Sequence, residues 1–205
     1  MAPSHRIYRV ALVLAAFAGC GGNESPDISA LATTQDDQVK TEFEKGQEFF
    51  FDDDWDTAIV CFTEAIRLNP DNTVAYISRG YAYSKKGEYD KTIEDYTEVI
   101  RLDPNYARAY INRGYVYSNK GEYDKAIKDC TQAIRLDSDN AGFYFSRGAA
   151  YYKKGEYDQA IKDYTEVIRL DPNYAWAYYN RGEAYEEKGD LKKAKDDFDK
   201  AGSLR

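Results

Sequence analysis

One spacing constrains this chain more than any other feature. Gly46, Gly80, Gly114, Gly148 and Gly182 stand 34 residues apart, and other positions keep step with them. Three residues after each glycine comes an aromatic: Phe49, Tyr83, Tyr117, Tyr151 and Tyr185. Twelve after it comes a small residue (Ala58, Thr92, Ala126, Ala160, Ala194), and sixteen after it a bulkier one (Phe62, Tyr96, Cys130, Tyr164, Phe198). Pro70, Pro104 and Pro172 hold the twenty-fourth place, with Ser138 the exception. A fixed period of this length marks a stack of supersecondary units, each burying its apolar face against its neighbours.

Each unit reads as two antiparallel helices. Small residues such as Gly80 and Thr92 suit a close helix crossing, and the aromatics fill the space beside them. Gly87, Gly121, Gly155 and Gly189 break the chain between the helices, and acidic residues follow, as in Gly121-Glu122-Tyr123-Asp124. Negative charge favours a helix N-terminus. The second helix carries apolar residues at helical spacing, for example Ile127, Cys130 and Ile134. It ends at Leu-Asp-Pro-Asn, where Asp103 or Asp171 is expected to cap the next helix and Pro104 or Pro172 to take its first position.

These residues resemble the tetratricopeptide repeat (TPR) family over about residues 39–205. The register divides into repeats at 39–72, 73–106, 107–140, 141–174 and 175–205. The resemblance implies an all-α fold, a right-handed α-solenoid of five helix-turn-helix repeats. There are two departures from the family pattern. Glu42 stands where Tyr76, Tyr110, Tyr144 and Tyr178 stand in later repeats, and Lys45, Arg79, Arg113, Arg147 and Arg181 replace the usual leucine before the glycine. An arginine stem can cover apolar surface while its head reaches water.

The resemblance also implies a concave groove lined by the first helices, open to a protein or peptide partner. Carried over position by position, its lining includes Tyr81, Tyr115, Tyr152 and Tyr179, with Asn112 and Asn180 beside them. Aromatic rings with polar tips and side-chain amides suit an extended peptide. Lys85, Arg108 and Lys153 place positive charge in the middle of the groove, and Glu183, Glu186 and Glu187 close one end with negative charge. The set required by the two-carboxylate clamp of chaperone-binding members is missing, since Phe43, Gln47, Ser78 and Arg108 occupy its first frame. The terminal repeats are more polar: Lys195 and Gly202 replace isoleucines in the last, and Thr41, Glu42 and Glu48 replace apolar or small residues in the first. Such ends suit the wet caps of a five-repeat array.

Ahead of the repeats, residues 1–19 read as a signal peptide. His5, Arg6 and Arg9 form a basic start, Val10 to Ala18 is apolar, and Phe17-Ala18-Gly19-Cys20 closes the segment. The apolar run is about half of the roughly 20 residues that span a bilayer. Cleavage before a cysteine resembles bacterial lipoprotein processing, which implies a lipidated (palmitoylated) Cys20 and a membrane anchor in the cell envelope, at the outer membrane where the host has one. Ordinary secretion is the alternative. Residues 20–38 read as a polar, flexible tether.

The remaining inventory argues against chemistry. His5 is the sole histidine, so a chain without its signal has none, losing the commonest general base and metal ligand. No phosphate loop, dinucleotide fingerprint or metal-binding cysteine pattern is present, and no cofactor or metal is expected. Asp52, Asp53 and Asp54 lack the ladder of a calcium loop. Cys61 and Cys130 lie two repeats apart, too far to bridge. The net charge of −8 becomes two units more negative without Arg6 and Arg9, which disfavours nucleic acid. The expectation is a non-enzymatic adaptor or scaffold. Carbohydrate or peptidoglycan binding and self-assembly are the alternatives, and neither partner identity nor oligomeric state is encoded legibly.

Overall fold

The structure is a computed structural model describing residues 34–204. Ten α-helices run antiparallel in pairs among the described residues: α1 (Gln35–Phe51) with α2 (Trp55–Leu68), α3 (Thr73–Lys85) with α4 (Tyr89–Leu102), and α5 (Ala107–Asn119) with α6 (Tyr123–Leu136). They continue as α7 (Ala141–Lys154) with α8 (Tyr157–Leu170) and α9 (Ala175–Glu187) with α10 (Leu191–Ser203). Each pair packs on the next to make an α-solenoid. Beyond neighbours in sequence, α5 also meets α7, and α7 meets α9. First helices therefore form the inner wall. None of the described helices is long and apolar enough to cross a membrane.

Local chemistry explains the turns. Gly87, Gly121, Gly155 and Gly189 adopt φ of +74°, +76°, +84° and +80°, a region open to glycine at little steric cost. In the first repeat Asp53 takes that role at φ 59°. Second helices then start with an acidic residue in the first turn, Asp56, Asp90, Asp124 and Asp158 in α2, α4, α6 and α8.

The connection between repeats differs from the expectation. Asp103 and Asp171 cap the C-terminal ends of α4 and α8, not the helices that follow. Their carboxylates accept from the amides of Asn105 and Asn173, both at 3.0 Å, building an Asx turn. Pro104 and Pro172 sit within that turn, and Tyr106 and Tyr174 precede α5 and α9. The N-terminal boundary also moves. The tether was expected to run to Gln38, but α1 begins at Gln35, because Thr34 and Asp37 form a reciprocal capping box. Residues 1–33, including the expected signal and Cys20, lie outside the described residues.

The close crossings are tight. A Cβ on Gly148 would lie 2.9 Å from the ring of Tyr164, and one on Gly46 only 2.6 Å from that of Phe62. Tyr164 and Phe62 are fully buried, as are Ala58, Thr92 and Ala160 at the small positions. Cys61 and Cys130 are both buried and free, as their separation requires.

The arginines correct a further expectation. Their heads turn mostly inward, leaving the side chains only 16 to 19% exposed. Arg79, Arg113, Arg147 and Arg181 each grip a buried aspartate with two hydrogen bonds: Asp95, Asp129, Asp163 and Asp197, at 2.6 to 3.0 Å. The third nitrogen donates to a threonine of the preceding repeat: Thr63, Thr97, Thr131 and Thr165. Each guanidinium lies between two tyrosine rings, such as Tyr144 and Tyr151 around Arg147 at 5.7 and 6.0 Å. One arginine thus clips three helices together. The first repeat lacks the clip, for Lys45 and Cys61 occupy the two positions and Lys45 turns to Glu42. Exposed pairs of Lys86 with Asp56, Lys120 with Asp90, Lys154 with Asp124 and Lys188 with Asp158 run beside it. Such half-exposed pairs contribute little each.

Candidate binding groove

The inner wall is built from α1, α3, α5, α7 and α9, and the groove residues expected from sequence fall on four of these helices. Tyr115 and Tyr81 are 62% and 41% exposed, unusual for rings of this size in a folded core. Tyr81 packs on Phe50 and Trp55 at ring distances of 5.2 and 6.2 Å, with the Lys85 ammonium 5.1 Å from its face. Tyr179 leans on Trp176 and Phe198. Tyr152 is half-buried against Tyr157.

The two amides are committed within the protein. Asn112 is turned to the buried Tyr96 hydroxyl, an interaction that partly offsets the upward push of burial on that phenol. Asn180 donates instead to the Trp176 carbonyl at 2.7 Å, which leaves the equivalent Tyr164 hydroxyl buried without a hydrogen-bond partner among the described residues. That asymmetry has a measurable consequence. Tyr164→Phe should leave stability unchanged or raise it by up to about 1 kcal/mol, while Tyr96→Phe should lower it by about 1 kcal/mol. Urea midpoints of the two variants compare them directly, and equal losses would contradict the assignment.

Charge is divided along the wall. Lys85, Arg108 and Lys153 are exposed, and no carboxylate lies within ion-pair distance of any of them among the described residues. The arginines of the clips and the lysines of the inter-repeat pairs, by contrast, all have acidic partners. In α9, Glu186 and Glu187 are exposed, and Glu183 is half-buried. Burial raises the Glu183 pKa, the neighbouring Tyr179 hydroxyl lowers it, and the charges of Glu186 and Glu187 raise it further.

Two depressions mark the middle of the wall. One, of about 370 Å³, is bounded by Tyr81, Ser84, Lys85, Tyr89, Tyr115 and Asn119. The other, smaller at about 170 Å³, is lined by Tyr115, Cys130 and Phe145 among others. Sequence reasoning placed Cys130 in the core and did not find this second pocket. Among the described residues no cluster of three or more His, Cys, Asp or Glu side chains could hold a metal ion.

Comparison with known proteins agrees with this architecture. A sequence profile described as "TPR repeat" matches residues 46–87, 80–121 and 148–189, and profiles described as "Tetratricopeptide repeat" match 107–140, 175–205 and 130–162. Two crystal structures of MamA resemble the chain. The first is 28% identical over 82% of this chain and 92% of that one, with a TM-score of 0.77. The second is 30% identical over 78% and 93%, with a TM-score of 0.74. YrrB, described as a TPR protein with an unusual peptide-binding site, shares the fold at 21% identity over 80% and 84% of the two chains, with a TM-score of 0.68. Profiles matching most of the repeat region and a ten-helix solenoid agree: the chain belongs to the tetratricopeptide repeat family.

Proposed function

We propose that this protein is a non-enzymatic adaptor that binds an extended peptide segment of a protein partner along its inner wall. The observation that carries the reading is the juxtaposition on one wall of exposed Tyr81 and Tyr115 with Lys85, Arg108 and Lys153, none of which has an acidic partner among the described residues. Exposed rings supply contact area that a ligand can bury at small entropic cost, and cations without an acidic partner among the described residues select an acidic or polar stretch of ligand. Glu183, Glu186 and Glu187 favour a basic stretch towards the fifth repeat. We further propose that Cys20 is lipidated and tethers the repeats to a membrane of a bacterial envelope.

Crosslinked pull-down from envelope extracts tests the adaptor, and fatty-acid labelling tests the anchor. Wild-type chain should capture a protein that a Tyr81→Ala, Tyr115→Ala, Tyr179→Ala variant with unchanged helical circular dichroism does not. Capture of the same protein by the variant would move the site off the inner wall, and retention of glycan alone would replace the adaptor reading with a sugar-binding one. Cys20→Ala should abolish metabolic incorporation of an alkynyl fatty acid; persistent labelling would refute the anchor.

A further inference from the structure

In the middle of the array the register turns from large to small at two positions. After the landmark glycine, Tyr81 and Tyr115 are followed by Ala149. Sixteen residues after the glycine, Phe62 and Tyr96 are followed by Cys130 and then Tyr164. These two large-to-small replacements belong to different helices, α7 and α6. The fold brings them to the same volume.

That volume is the pocket of about 170 Å³ beneath Tyr115. Cys130, Phe145, Ala149 and Ala150 line it with mostly apolar surface, Ser118 and Ser146 add two hydroxyls, and the exposed Lys153 borders it. Cys130 is 2% exposed, and burial pushes its thiol up to about 12, so it presents a neutral, apolar sulfur there. An apolar cavity of about 150 Å³ is large enough to bind benzene. The pocket therefore has room for one ring or one branched aliphatic side chain. Its mouth opens beside Tyr115, which also borders the depression holding Lys85. Lys153 and Lys85 thus stand at the two depressions that Tyr115 joins.

We propose that the pocket between α5, α6 and α7 receives one aromatic or leucine-sized side chain of an extended peptide, whose neighbouring acidic residue pairs with Lys153. Apolar fit supplies the anchor, and the cation without a partner supplies the charge complementarity. The proposal rests on the reading of the inner wall as a peptide groove, and it names the residue class that groove selects.

The test pans the full-length chain against a random nonapeptide library and measures the enriched peptides by calorimetry. Enriched sequences should share one Phe, Trp, Leu or Ile next to Asp or Glu. Ala149→Tyr, which restores the residue of repeats two and three, should weaken binding at least 10-fold with an unchanged thermal melt. Replacing the apolar peptide residue by alanine should cost the wild type as much and the variant almost nothing, the coupling expected of a direct contact. Lys153→Glu should weaken peptides that carry the acid and spare those in which it is replaced by glutamine. Binding that falls with Tyr81→Ala but ignores Ala149→Tyr and the peptide alanine would overturn the pocket and leave the groove standing. Enrichment of no peptide would overturn both.

Discussion

Arg147→Met should cost the fold about 3 kcal/mol, the scale seen when one member of a buried ion pair is removed. The Asp163 side chain is 7% exposed, and both of its oxygens accept from Arg147, at 2.8 and 2.7 Å. Methionine keeps most of the stem volume, so lost packing is a small part of the loss; the uncompensated carboxylate is the larger part. Arg147→Met with Asp163→Leu should recover most of it, to within about 1 kcal/mol of wild type, since a buried pair and an apolar pair of similar volume often balance. Chemical denaturation followed at the helical circular dichroism band gives both numbers. A single-variant loss below about 1 kcal/mol would mean that water relaxes around the carboxylate and that the clip has little energetic weight.

Gly148→Ala is expected to lose about 2 kcal/mol, whereas Gly114→Ala should stay within about 1 kcal/mol of wild type. The two glycines hold the same place in consecutive repeats, but their partners differ. A methyl on Gly148 meets the Tyr164 ring at 2.9 and 3.1 Å, and that ring is fully buried beside Phe145. A methyl on Gly114 comes no closer than 3.3 Å to the Ala126 carbonyl and 3.4 Å to the Cys130 sulfur. Alanine's better helix propensity, worth about 1 kcal/mol, offsets that milder contact. Equal losses from matched melts would show that neighbouring helices shift together.

Much of the fold was legible because it depends on residues close in sequence or in strict register. The turn glycines announce a backbone break, and the small and aromatic positions announce a crossing; the structure places both there. The arginine clip is hidden when each arginine is taken singly, as a replacement for leucine. Its signal lies in a pair: arginine before the glycine and aspartate fifteen after it occur together in four repeats, and Lys45 and Cys61 replace both in the first. The Asp-Pro-Asn turns mislead because aspartate before proline satisfies the pattern of a helix start, while the carboxylate in fact serves its own turn. Thr34 and Asp37 resemble the polar tether around them, because a capping box is visible only once the helix it opens is known.

The inner wall was legible as a set of positions and less so as chemistry. Its exposed tyrosines and cations stand where the register puts them. The amides of Asn112 and Asn180 do not extend that surface freely, because a buried phenol and a helix carbonyl engage them. The pocket needed the fold, since Ala149 and Cys130 meet only after α6 and α7 pack.

The clip also has a direction in time. Each arginine finds its threonine sixteen residues earlier in the chain and its aspartate sixteen residues later. On a ribosome, the docking surface for every new repeat is therefore made before the arginine that seizes it, and the lock closes only once the second helix of that repeat has emerged. The order of synthesis thus presents each joint with its threonine first and its aspartate last.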